Sequence, residues 1–106
     1  MQDALFVYGT LKDPDIQMHL IGRTITGTPD RLRGYRSHNI LNYPTALPDA
    51  QGWVHGVVLT VTPQEMIRFD AYEGEVYERV RVCLDSGAEA WMYRGKPEVF
   101  DRVLNG

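Results

Sequence analysis

The sequence predicts an α+β fold: a compact, mostly antiparallel, curved or barrel-like sheet of five to six strands with two or three short helices. Three observations carry that expectation. Runs of strand-forming residues recur along the whole chain. Helix-start signals occur twice, at Asp13-Pro14 and at Thr62-Pro63. The two helices also fail to alternate regularly with the strands, as a doubly wound parallel sheet would require. At 106 residues the chain is expected to form one domain, residues 1–106, with a core over about 4–94 and a tail over about 96–106.

Ala4-Leu5-Phe6-Val7-Tyr8 is a nearly continuous apolar run that stops at Gly9-Thr10, which describes a buried first strand. Gly9 lets the backbone turn sharply or approach a ligand. The amides of Gly9, Thr10 and Leu11 are then free either to cradle an anion or to form an ordinary turn. Asp13-Pro14 caps a short helix through Ile16, Met18, His19 and Leu20, stopped near Gly22. Gly27-Thr28-Pro29-Asp30 reads as a break, and residues 31–40 as an exposed strand interrupted by Gly34, its arginines solvated.

Residues 42–49 carry Pro44 and Pro48 and read as an irregular or edge segment that can form a pocket rim. Residues 52–61 give the strongest strand signal, with Val57, Leu59 and Val61 on one face. This strand runs into a helix that Thr62 caps, with Glu65 reaching back and Pro63 at the first helical position. Met66, Phe69 and the ring of Tyr72 supply its apolar face, and Gly74 ends it. Beyond Gly74 the period changes to two: Tyr77, Arg79 and Arg81 alternate with Val80, Val82 and Leu84. The polar set either lines a pocket or faces water, and spacing alone favours water. A turn at Asp85-Ser86-Gly87 leads to a last strand over residues 88–94. Beyond Lys96 the chain reads as a tail or as a short closing helix around Val99, Phe100 and Val103.

The formal net charge is −3, and the basic residues are scattered rather than gathered into a phosphate-tracking stripe, which argues against nucleic acid as a partner. No stretch is long and apolar enough to span a bilayer, and no basic region precedes the first apolar run, so a soluble cytoplasmic protein is expected. His19, His38 and His55 lack metal-ligand spacing, and no phosphate loop or dinucleotide fingerprint is present, so no metal or cofactor is expected. Cys83 is the sole cysteine, expected as a small core or strand-face residue and buried enough to be a poor nucleophile. No Gly-x-Ser-x-Gly turn offers a serine in its place.

Glu73 remains as the candidate for chemistry. It stands at the last turn of a helix, where unpaired carbonyls disfavour an anion, and Asp70 and Glu75 add like charge nearby. Those influences, together with any burial, raise a carboxyl pKa toward the range a general base needs. The plainer reading is an exposed acidic turn.

Leu5-Phe6-Val7-Tyr8-Gly9-Thr10-Leu11, combined with Phe69-Asp70-Ala71-Tyr72-Glu73-Gly74-Glu75-Val76-Tyr77-Glu78-Arg79, resembles the gamma-glutamyl cyclotransferase-like family. Gly56-Val57-Val58-Leu59 fits the glycine-containing strand that precedes the helix there. The resemblance covers roughly residues 4–94. It implies a barrel-like antiparallel sheet whose pocket joins the Tyr-Gly-Thr-Leu loop to a glutamate, and it places Glu73 at the catalytic position. The implied reaction converts a γ-glutamyl amide or amine to 5-oxoproline and a free amine, without a cofactor.

Under the same resemblance the amides of Gly9, Thr10 and Leu11 hold the substrate carboxylate or the developing oxyanion. Tyr77 becomes a pocket hydrogen-bond partner and Tyr8 a wall. The expected partner is a small γ-glutamyl molecule and the expected state a monomer or weak homodimer, while glutathione, γ-glutamyl amines or amino acids, and isopeptides all stay open as substrates. Two other functions compete: a non-catalytic domain that binds a small carboxylate-bearing metabolite in the same pocket, and a hydrolase pairing Glu73 with Glu75 or Asp70.

Overall fold

The computed structural model describes residues 2–40 and 43–101. Along the chain these form β1 (Asp3–Val7), a 3-10 turn (Thr10–Lys12), α1 (Pro14–Ile21), β2 (Thr28–Ile40), β3 (Tyr43–Val61), α2 (Pro63–Glu73), β4 (Tyr77–Cys83) and β5 (Glu89–Gly95). The five strands make one sheet in the order β2-β3-β1-β5-β4. β1 and β5 run parallel, and every other neighbouring pair runs antiparallel.

The continuous apolar run of β1 reflects a central strand buried on both faces. Leu5 and Val7 join Leu59, Val61, Met66 and Phe69 in the core under the two helices. Phe6 points the other way, into a second core with Leu32, Val54, Val82 and Met92. That second core is closed by curvature. The turn after β4 reaches β2, at the opposite end of the strand order, where the Asp85 amide donates to the Arg31 carbonyl at 2.9 Å. Ser86 donates to the Asp30 carboxylate from both its amide and its hydroxyl. The sheet is therefore curled into a half-barrel.

Both helices begin as their sequences predict. The Asp13 carboxylate accepts from the Asp15 amide at 2.9 Å, and α1 ends at Gly22 with φ +74°. At α2 the capping box is complete: the Glu65 amide donates to the Thr62 hydroxyl, and the Thr62 amide to the Glu65 carboxylate. That carboxylate also receives two bonds from Arg23, at 2.7 and 2.8 Å. This fork is the main cause holding the Glu65 carboxyl down at about 2, and it ties the chain leaving α1 to the start of α2.

Of the two alternatives for the segment with Pro44 and Pro48, the edge reading holds: residues 43–49 open the 19-residue β3 as a regular strand. Their prolines are tolerated because β1 pairs only with Val57–Val61, so this half of β3 has β2 on one side and no paired strand among the described residues on the other. Two expectations are corrected. Thr28-Pro29-Asp30 likewise begins β2 instead of breaking the chain, and β2 is an edge strand. Cys83 is exposed on β4, not buried. Gly34 interrupts β2 as expected, with φ +93° at a shift of register. After β5 a single turn forms, the amides of Val99 and Phe100 donating to the Lys96 carbonyl, while Val103 lies outside the described residues. No helix among the described residues is long and apolar enough to cross a membrane.

Gly56 shows how tightly β1 is held. A Cβ built there would stand 2.3 Å from the Val7 carbonyl oxygen and 3.0 Å from the Phe6 ring. Gly56→Ala is expected to destabilise the fold by roughly 1–3 kcal/mol, seen as a lower urea midpoint with an unchanged m-value. A midpoint equal to that of wild type would mean that β1 has room to shift.

Candidate active site

α2 carries Met66, Phe69 and Glu73 at spacings of three and four, so its last residue points the same way as its buried face. Glu73 thereby enters a cavity of about 430 Å3. The run from Phe6 to Leu11 forms one wall, and Tyr72, Val76 and Tyr77 around the end of α2 form another. Gly74, with φ +80°, lets the chain leave the helix sharply and start β4 beside the cavity.

The loop after β1 is pinned by side chains. The Tyr8 hydroxyl donates to the Tyr93 carbonyl at 2.7 Å and accepts from the Ala46 amide at 2.9 Å, linking β5 and β3 across the end of β1. Gln17, almost fully buried on α1, donates to the Leu11 carbonyl at 2.8 Å and accepts from the Ile25 amide at 2.8 Å. In the 3-10 turn the internal bonds are donated by Lys12 and Asp13, so the Thr10 and Leu11 amides open the turn rather than close it. Leu11 borders the cavity while its side chain is buried in the helix-side core. Thr10 lies 3.4 Å from the Tyr72 hydroxyl, oxygen to oxygen.

The structure thus brings together all six residues singled out from the sequence: Tyr8, Gly9, Thr10, Leu11, Glu73 and Tyr77 line one cavity. Tyr77 turns inward, against the spacing-only expectation of a solvated face, and its hydroxyl is 3.0 Å from that of buried Thr45. A curled sheet can enclose a strand face that looks polar in sequence. The rim segment also behaves as expected, since Tyr43 and Pro44 line the cavity. Sequence reasoning missed Gln17, Thr45 and Tyr93. Of the two readings of the tail, the closing one describes Val99 and Phe100, which line the cavity from a single turn, and the Phe100 ring stands 6.0 Å from that of Tyr77, centroid to centroid.

Glu73 has its pKa raised to about 7, and the cause is burial. This corrects the weight placed on neighbouring like charges. Asp70 is turned to the far side, accepting from the Tyr93 hydroxyl at 2.5 Å and lying 3.7 Å from Arg79, and Glu75 is exposed. The Glu73 carboxylate itself makes no hydrogen bond or ion pair with a described residue. Tyr8 and Tyr93 have their phenols pushed well above the ordinary value, chiefly by burial, so both remain protonated donors. Among the described residues no group of His, Cys, Asp and Glu is arranged to hold a metal ion.

The architecture is a curled five-stranded half-barrel with two helices, and the last residue of α2, Glu73, faces the cavity beside the end of β1. The family description "Gamma-glutamyl cyclotransferase, AIG2-like" matches residues 5–104, and the chain belongs to that family. AIG2-like protein A of Arabidopsis thaliana is 33% identical over 91% of this chain and 66% of its own length. The chain spans between 47 and 66% of the Arabidopsis AIG2 relatives it matches. An Arabidopsis protein solved in solution superposes with a TM-score of 0.80 at 28% identity, covering 98% of this chain and 74% of that one. A structure named gamma-glutamyl cyclotransferase shares the fold, with a TM-score of 0.67 at 17% identity over 91% of this chain and 68% of that one.

The Glu73 pKa has a consequence for stability that is independent of any activity. Below about pH 4.5 the carboxyl is protonated in both folded and unfolded chains; above about 7 it is ionised in both, and the folded state bears the cost of desolvation. Wild type should therefore lose stability as pH rises from about 4.5 to about 7. Glu73→Gln, which cannot ionise, should be the more stable protein at pH 8 by on the order of 1–3 kcal/mol, after discounting for the hydration the side chain keeps. Denaturant midpoints at pH 4.5 and pH 8 measure this, and a mutant advantage equal at both would reject the shifted pKa.

Proposed function

We propose that the protein is a gamma-glutamyl cyclotransferase that converts a γ-glutamyl amide or amine to 5-oxoproline and a free amine. The observation that carries this reading is a single carboxyl, of pKa about 7, facing a cavity without a bonded partner among the described residues. Ionised Glu73 accepts a proton from the substrate's α-ammonium. The freed amine attacks the γ-carbonyl carbon, and a C–N bond closes the five-membered lactam. Glu73 then returns the proton to the departing nitrogen as the original amide C–N bond breaks. The attacking nitrogen sheds its second proton as the lactam N–H forms, and the released amine takes up a proton from solvent to leave as an ammonium, so atoms and charge balance without an oxidant, a reductant or a cofactor.

The amides of Gly9, Thr10 and Leu11 are assigned to the substrate carboxylate or the oxyanion of the tetrahedral intermediate, a task suited to donors at the open end of a turn. Tyr8 is a fixed wall, since both of its hydroxyl's bonds are made to the backbone. Tyr77 offers its hydroxyl from the opposite side, held near Thr45. Pairing of Glu73 with Asp70 or Glu75 gains no support, because Asp70 is engaged by Tyr93 and Arg79 and Glu75 is exposed.

The test is 5-oxoproline release from a panel of γ-glutamyl amides, wild type beside Glu73→Gln. Wild type should release it, and the mutant should be slower by about 10²–10⁴-fold. Because the base must be ionised, kcat/KM should fall tenfold per pH unit below an apparent pKa near 7. Turnover absent from every substrate, while a γ-glutamyl compound still protects the fold against heat, would leave a binding domain in place of an enzyme.

A further inference from the structure

Seven large apolar side chains stay exposed among the described residues, and four of them, Tyr43, Tyr72, Val76 and Val99, line this one cavity. Scattered exposed apolar residues need no explanation, but a cluster at the mouth of a concave site marks a surface meant to be covered. Of the described residues lining the cavity, Glu73 alone is ionisable with charge near neutral pH, and none is Lys, Arg or His. The guanidiniums of the flanking strands are committed elsewhere: Arg79 pairs with Asp70 and stacks on Trp91, and Arg94 pairs with Glu78. The cavity volume of about 430 Å3 is more than the glutamyl group alone needs.

We infer that the group released by this site is a neutral apolar amine, an arylalkyl or branched alkyl amine, and that γ-glutamyl amino acids and peptides, which carry a carboxylate on the leaving side, are poor substrates. The inference rests on the cyclotransferase reading for the reaction, but its content is the chemistry of the mouth. The glutamyl head lies against Glu73 and the loop after β1, where amides can meet its carboxylate. Its amine substituent extends to the mouth, where an apolar group removes exposed aromatic and aliphatic surface from water. A carboxylate there would find no cation among the described lining residues and would stand in the field of Glu73.

The experiment compares γ-glutamyl-phenethylamide, γ-glutamyl-methylamide and γ-glutamyl-alanine in two ways: kcat/KM for 5-oxoproline release by wild type, and Kd by calorimetry on Glu73→Gln. The phenethyl amide should exceed both others by about tenfold or more in each measurement, as filling an apolar pocket allows. Val99→Lys, a change at an exposed position, should narrow the gap to γ-glutamyl-alanine by placing a cation at the mouth. Release from all three with γ-glutamyl-alanine equal or better overturns the inference and leaves the cyclotransferase reading intact. No release from any, with the phenethyl amide still binding about tenfold tighter, rejects the reaction and supports the apolar mouth. Equal or absent binding across the set overturns the inference whatever the turnover.

Discussion

The hydroxyl of Tyr8 is the constraint on which the rest of the architecture turns. β1 ends one residue earlier, and beyond it neither neighbouring strand can be held by a β1 ladder. One phenolic oxygen takes over, donating to the Tyr93 carbonyl on β5 and accepting from the Ala46 amide on β3. Both backbone groups would otherwise need water or would stand unpaired. Because burial keeps the phenol protonated, the crosslink does not come and go near neutral pH. The ring thus fixes the distance between β3 and β5 at the one end of the sheet where a cavity opens.

Around that crosslink the cavity is closed by one local contact and two between separate strands and turns. Gln17 on α1 holds the Leu11 carbonyl six residues before it, Thr45 on β3 meets Tyr77 on β4, and Phe100 after β5 meets the same Tyr77 ring. The enclosure that results is what lifts the Glu73 pKa, so a single physical cause gives the carboxyl its chemical character and also makes it a burden on the fold. The compensating stabilisation sits at the other end of α2, where Glu65 completes the capping box and takes the Arg23 fork, its pKa shifted in the opposite direction. One short helix carries a stabilising glutamate at its start and a costly one at its end.

Features set by neighbours in sequence were legible. Thr62, Pro63 and Glu65 announced α2, Asp13 and Pro14 announced α1, and the period change after Gly74 announced β4. The position of Glu73 was legible for the same reason. The cause of its shift was not: helix-end position and neighbouring acids are visible in sequence, whereas burial depends on which strands fold over it. The proline-bearing start of β3 could be narrowed only to an irregular or an edge segment, because a proline excludes a residue only from a doubly paired strand, and pairing on one side is a property of the sheet. Tyr77 was misweighed likewise, since alternation tells which residues share a face and not whether the sheet curls around it. The glycine and arginine positions of β2 needed no such knowledge and read correctly.

A site whose described lining residues include one carboxyl and no basic side chain suits a reaction whose nucleophile and electrophile belong to the same molecule. In the proposed cyclisation the substrate's amine and carbonyl are already tethered, so the protein need only select the folded rotamer, accept a proton and return it. A carboxyl with pKa near 4.5 would hold too little affinity for the proton to take it readily from an ammonium, and one near 10 would rarely be ionised to begin. At about 7 both forms are comparably populated at neutral pH, which lets one group act first as base and then as acid without a second residue to reset it. Apolar surroundings are what hold Glu73 at that value, so the same lining that would favour an apolar leaving amine also tunes the group that releases it.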